Sequence, residues 1–265
     1  MQKMLSGSGR MDFQIKYAEE LNKLKENENN IEFFRKLALD RNNPEFMKET
    51  IDGLLNYSKE NNLNNTKAWA YYYLGWFHFD KSHYDKAAES FLVSNDIFDL
   101  TKNSTGLIYA CNGLTNVYCQ IGQFKLANEW GLKGISLCEE TGNKEALVIL
   151  LINTGINYIQ MKYFSKGKEI FHSLEIMDCE ITKTQQISCN LALAEIEINI
   201  GEPNLALSYV DSALKIEEEL KMTKDICEMY KLKGMAFVKL ELYDLAEQEL
   251  KKAYNFTDKY DYIYE

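Results

Sequence analysis

Side chains able to do chemistry are few and scattered. The histidines are His78, His83 and His172, and the cysteines are Cys111, Cys119, Cys138, Cys179, Cys189 and Cys227. No two cysteines form a CxxC pair, so neither a metal knuckle nor a disulfide framework is implied, and the thiols read as small, reduced hydrophobes. His172 and Cys179 are the nearest base and thiol, seven residues apart, and nothing around them marks an activated pair. HExxH, GxSxG, Walker A and GxGxxG sequences are absent. The acidic run Glu217-Glu218-Glu219 reads as a solvated helix face rather than a metal site. The expectation is a chain with no catalytic centre, no metal and no cofactor.

Two groups of residues suit binding instead. The run Trp69-Ala70-Tyr71-Tyr72-Tyr73-Leu74-Gly75-Trp76-Phe77-His78-Phe79 is apolar on every side. It is predicted to be covered on more than one face, either by amino-terminal helices or by a partner anchored on its rings. The second group is a set of amides, Asn112, Asn116, Gln120, Asn153 and Asn199. Each carries both donor and acceptor and can bond the backbone of an extended peptide without requiring a particular side chain.

Composition bounds the partners. The 265 residues carry 30 Lys+Arg and 40 Asp+Glu, a net charge of −10, which argues against a nucleic-acid surface. Hydrophobic residues make up 46% and charged residues 26%, as in ordinary globular proteins. No apolar run is long enough to span a bilayer and no signal peptide opens the chain, so a cytoplasmic location without membrane insertion is expected. With 2 prolines and 14 glycines there is too little punctuation for a β-rich fold.

The elements that position these groups repeat. Small residues recur at Ala87, Ala127, Gly167, Ala206 and Ala246, at intervals of 40, 40, 39 and 40. Three residues before each lies Tyr84, Phe124, Phe164, Pro203 or Tyr243; four after lies Phe91, Gly131, Phe171, Val210 or Leu250. Seven after comes Ser94, Gly134, Leu174, Ala213 or Ala253, and twelve before comes Gly75, Thr115, Gly155, Ala194 or Gly234. Offsets of three, four and seven mark one face of a helix. The small residue twelve positions upstream belongs to a preceding helix, where a bulky side chain would hold the pair apart. Turns at Asp80-Lys81-Ser82-His83, Gly122-Gln123 and Glu241-Leu242 join the helices. Hairpins of this kind bury their apolar faces by stacking. The fourth copy departs most, with Pro203 replacing the aromatic and Glu197 standing where Tyr118, Tyr158 and Phe237 stand elsewhere; Glu197 reads as a solvated edge.

Leu74-Gly75…Tyr84…Ala87…Phe91, Leu114…Tyr118…Gly122…Phe124…Ala127, Gly155…Tyr158…Phe164…Gly167…Phe171 and Tyr230…Gly234…Phe237…Tyr243…Ala246…Leu250…Ala253 together resemble the tetratricopeptide repeat. The resemblance covers residues 66–258 and implies an all-α, right-handed α-α superhelix of about five hairpins, near 66–103, 104–143, 144–182, 183–222 and 223–258. The period exceeds the family's usual one of about 34, which lengthens the helices. Long repeats of this kind are similar to those of signalling proteins of low-GC Gram-positive bacteria, among them peptide-sensing response-regulator phosphatases and the amino-terminal parts of clostridial diguanylate cyclases.

The ends are read separately. Met1–Arg10, with its Ser-Gly-Ser-Gly, reads as a tag or linker. Residues 11–65 read as amino-terminal helices forming a cap or degenerate repeat, with Pro44 suited to a helix's first turn. The apolar Lys259–Glu265 reads as the start of a further helix in a solenoid cut short, with an output domain beyond it.

In stacked hairpins the first helices line the concave surface, the usual recognition groove. Avoiding the small-residue columns, the predicted lining is Trp69, Tyr72, Trp76 and Phe79, then Asn112, Asn116 and Gln120, then Ile152, Asn153, Ile156 and Gln160. Glu195 and Asn199 follow, then Lys231, Met235 and Lys239. The family's clamp for a carboxy-terminal carboxylate needs Lys and Asn where this sequence has Tyr72 and Trp76, so the resemblance does not imply a chaperone-tail receptor. The reading is a protein- or peptide-binding module, the sensory part of a signalling protein with a diguanylate cyclase output. Alternatives are a peptide-pheromone receptor of the quorum-sensing type that binds a response regulator, and a scaffold dimerising through its carboxy-terminal end.

Overall fold

The structure is a computed structural model that describes residues 8–28, 30–177, 179–223 and 225–259. Among these residues there are thirteen α-helices and no strand. They are α1 (Ser8–Glu26), α2 (Glu32–Ala38), α3 (Pro44–Asn61), α4 (Asn64–Asp80), α5 (Tyr84–Leu100), α6 (Ser104–Gln120), α7 (Phe124–Thr141), α8 (Lys144–Gln160), α9 (Phe164–Glu175), α10 (Lys183–Ile200), α11 (Pro203–Leu220), α12 (Ile226–Lys239) and α13 (Tyr243–Lys259). α1 opens at Ser8, inside the stretch expected to be linker, because the helical segment from Met11 onward extends backward through Gly9. The expected further helix in Tyr260–Glu265 lies outside the described residues.

Local chemistry sets the helix ends. Asn43, Asn103 and Asn143 each stand just before a helix and accept a hydrogen bond from the backbone N–H three residues on, at 3.2, 2.9 and 3.1 Å. Pro44 takes the first turn of α3, as its fixed φ favours. Thr182 and Gln185 form a reciprocal capping box on α10. Inside each hairpin the turn passes through one left-handed residue: Ser82, Gly122, Lys162, Gly201 and Glu241, with φ of 57°, 75°, 61°, 99° and 60°. All five sit five residues before the small residue of the second helix, so the turn repeats even where glycine does not.

The chain divides into two compact units, Met1–Thr141 and Gly142–Glu265. In the first, α3 packs on α2 and α4, and α5, α6 and α7 follow in order. Leu24, Phe34, Ile51, Leu54, Tyr73, Phe91, Phe98 and Leu114 form its core. Burying each of these rings and branched chains contributes about 1.5–3 kcal/mol. In the second unit α8 packs on α9 and α10, α11 on α10 and α12, and α13 on α12. Its core around Ile187, Ala194, Ile198, Val210, Met229 and Leu232 is aliphatic.

Two sequence expectations are corrected here. Glu197 is no solvated edge: it is fully buried on α10, and its Oε1 lies 2.8 Å from Nζ of Lys168 on α9. The ammonium reaches in from a partly exposed position, so an acidic residue is tolerated where other copies hold an aromatic ring. Glu217 is likewise buried, and its Oε1 accepts the backbone N–H of Asp225 at 3.1 Å, closing the loop after α11. Its neighbour Glu219 does face solvent and pairs with Lys183 at 2.8 Å.

Candidate binding faces

The aromatic run forms most of α4, and α4 is enclosed on several sides. Trp69 is 8% exposed and Tyr72 is 6% exposed. The Trp69 ring lies 5.0 Å from Phe98 and 5.6 Å from Tyr109, and the Tyr72 ring 5.7 Å from Phe91 and 5.8 Å from Tyr109. These edge-on and tilted contacts are the arrangements aromatic quadrupoles favour. Trp69 and Tyr72 are therefore core residues and do not line an open groove as predicted. The rings that meet them come from α5 and α6, and α3 of the amino-terminal helices packs along α4 as well. Burial pushes the phenols of Tyr72 and Tyr73 up, so both stay neutral. Trp76 and Phe79 remain half-buried, their rings 5.2 Å apart.

Tyr109 takes over the exposed aromatic role, at 38% exposure. It lies on α6 with Asn112, Asn116 and Gln120, at offsets of three, seven and eleven, which is one helix face. That spacing is present in the sequence, where Tyr109 stands one turn before the predicted lining of α6. Asn116 Nδ2 donates to the Asn112 carbonyl oxygen at 2.8 Å, which fixes the amide plane and aims its oxygen away from that carbonyl. Asn112 and Asn116 are half-buried and Gln120 is exposed. Beside this face, Arg35 of α2 is gripped by Glu32 at 2.6 and 3.0 Å, within electrostatic reach of Tyr73 and Tyr109. The α6 face thus joins an aromatic edge to a row of amides, with the Arg35 guanidinium within electrostatic reach of its Tyr109 end.

The second unit carries the remaining predicted residues. On α8, Asn153 and Ile156 are half-buried, Gln160 is exposed, and Ile152 is buried and so joins the core. Asn157, one turn after Asn153, is fully buried, and neither of its amide atoms has a hydrogen-bond partner. It stands in a column otherwise made of Phe77, Val117, Ile196 and Ala236, a polar exception the sequence displayed and the groove prediction passed over. On α10, Asn199 Nδ2 donates to the Glu195 carbonyl oxygen at 2.7 Å, repeating the back-bond of Asn116. Burial, and then the Glu228 carboxylate, raise the pKa of Glu195, while Lys231 works the other way. Lys231 is paired with Glu228 on α12 at 2.7 Å, and Met235 and Lys239 are exposed on the same helix.

Groups with catalytic potential are otherwise engaged. Burial pushes the thiols of Cys111, Cys138 and Cys189 up to about 11, which keeps them protonated. His172 Nδ1 is 2.9 Å from Glu175 on its own helix, and Cys179 lies past the end of α9. Among the described residues no group of His, Cys, Asp and Glu could hold a metal ion. No described helix is long and apolar enough to cross a membrane.

No family model and no curated protein matches the sequence. Solved structures do match the fold. The apo form of the quorum sensor NprR from B. thuringiensis aligns over 86% of this chain with a TM-score of 0.70 and 12% identity. This chain spans 64% of that NprR chain, just under two thirds of its length. NprR in complex with its cognate peptide NprX aligns over 97% of this chain and 76% of its own, at a TM-score of 0.66 and 12% identity. Apo RapI aligns over 93% and 70%, at 0.66 and 16% identity, and a tetratricopeptide repeat protein from Parabacteroides merdae over 90% and 93%, at 0.52 and 15%. At these identities the likeness is one of fold, and the fold is an all-α superhelix of tetratricopeptide-like hairpins.

Proposed function

We propose that this chain is a peptide-binding regulatory module of the kind used in peptide quorum sensing. The observation that carries the reading is the α6 face, where Tyr109, Asn112, Asn116 and Gln120 line up, with the Tyr109 ring set against Trp69 and Tyr72 of α4. Asn116 Nδ2 donates to the backbone and side-chain oxygens of Asn112 at 2.8 and 3.3 Å, which holds its amide in a set orientation and leaves its oxygen for a peptide N–H. An extended peptide would take main-chain hydrogen bonds from the α6 amides and seat one apolar side chain against the exposed edge of Tyr109. The similarity to a quorum sensor solved with its cognate peptide supports this reading. Binding without chemistry also accords with the raised thiols and the engaged histidine.

The test is a screen of a synthetic library of short linear peptides against the full chain by fluorescence anisotropy. Saturable binders that Asn112→Ala with Asn116→Ala abolishes, at unchanged helical circular dichroism, support the reading. An absence of binders, or binders indifferent to that double substitution, overturns it.

A further inference from the structure

We propose that the outer face of α13 is a self-association surface on which two copies of this chain pair end for end. The evidence begins with the position four residues after each repeat's small residue. Phe91, Gly131, Phe171 and Val210 are all buried there, whereas Leu250 is 39% exposed. In the first unit the reason is visible: a Cβ on Gly113 of α6 would lie 2.6 Å from the Phe91 ring, so the next first helix covers that position. Among the described residues no helix does the same for Leu250. Val238, Tyr243 and Tyr254 flank it, exposed by 45%, 63% and 71%, around an open depression of about 420 Å³.

The occupant follows from the order of residues on this face. At offsets 0, 3, 4, 7, 8 and 11 the stripe reads Tyr243, Ala246, Glu247, Leu250, Lys251 and Tyr254. Read in reverse it has the same aromatic ends and small or apolar centre, with the charge signs exchanged. An antiparallel copy about a two-fold axis near the middle of α13 therefore sets Tyr243 against the partner's Tyr254, and Glu247 against the partner's Lys251. Isologous pairing requires this self-complementarity, residue i meeting j while j meets i. Within one chain Glu247 and Lys251 already pair at 2.5 Å. Association would give each carboxylate a second ammonium at the rim, with Leu250 from both copies removed from water between them.

Light scattering of the full chain across a concentration series tests this. The expected result is a mass that rises from 30.8 kDa toward twice that value. Leu250→Glu should remain at the monomer mass. Because Leu250 also packs on Gly234, the decisive variants are the exposed charges. Glu247→Lys alone and Lys251→Glu alone should each associate at least tenfold more weakly than the wild type. Mixed one to one they should recover association, since every cross-copy pair is again of opposite sign. A wild type at 30.8 kDa at every concentration overturns the proposal and leaves this face to a following helix or another protein. A mixture no more associated than its components overturns it equally.

Discussion

Gly75 and Phe91 fit each other so closely that one added carbon at Gly75 would come within 2.6 Å of the Phe91 ring. The relationship is repeated along the chain with its volumes redistributed. Gly155 meets Phe171 at 2.8 Å by the same measure, and Gly234 meets Leu250 at 2.5 Å. Where the second helix carries Gly131 the first carries Thr115, and Val210 is matched by Ala194. In every hairpin at least one member of the pair is small, whichever helix carries the bulk.

The substitution Gly75→Ala should consequently destabilise the chain, although alanine is the better helix former by about 1 kcal/mol. The ring, fully buried and also pressed by Gly113, has nowhere to move, and overpacking costs about 1–3 kcal/mol. Adding Phe91→Leu should recover part of the loss. Urea unfolding of the single and double variants measures both; a neutral or stabilising Gly75→Ala would show that the ring yields.

Ser82, Lys162 and Glu241 hold left-handed backbone conformations that side chains with a Cβ adopt at a cost of about 1–2 kcal/mol. Replacing each by glycine should raise stability by about 0.5–1 kcal/mol, the relieved strain less the cost of glycine's greater unfolded-state entropy. Gly122→Ala at the equivalent position should lower it. Thermal melts of the four variants check the signs.

The buried Glu197 carboxylate depends on Lys168. Removing one partner of a buried pair typically costs about 3–5 kcal/mol, and the partial exposure of Lys168 reduces this to about 2 kcal/mol for Lys168→Met. The same variant carrying Glu197→Phe should be about as stable as the wild type, because Phe237 fills that position in the last hairpin. Denaturant midpoints of the single and double variants decide, and a double variant no better than the single would contradict the account.

His78 occupies the same column, and its Nδ1 is buried without a hydrogen-bond partner. Burial lowers its pKa, followed by the charges of Lys86, His83 and Lys48, with Glu89 opposing. The unfolded chain then binds more protons than the folded one below a pH of about 6.5, so stability falls as pH drops through the unfolded pKa. His78→Phe should flatten the pH dependence of the melting temperature between pH 7 and pH 5. A wild type and variant with parallel profiles would remove His78 as the cause.

Much of this was legible because a repeat averages out local ambiguity. The small-residue columns located the helix pairs, and Gly75, Gly155 and Gly234 proved to be the close-approach points that their size suggested. Single residues were less legible. Glu197 read as solvated because its partner Lys168 sits on a different helix, and an ion pair across helices leaves no spacing signature. Trp69 and Tyr72 read as groove lining because the rings that cover them, Phe91, Phe98 and Tyr109, lie 19 to 40 residues away. The amide face was legible from composition and offset, apart from Tyr109 at its edge.

The most direct test of the central claim is calorimetric titration of the strongest library peptide into the wild type and into Asn112→Ala with Asn116→Ala. The account predicts one saturable site with a Kd of about 10 µM or tighter, about −7 kcal/mol of binding free energy. It predicts at least a hundredfold loss in the double variant, whose melting temperature stays within a few degrees of the wild type. Undiminished affinity in a folded double variant would contradict it.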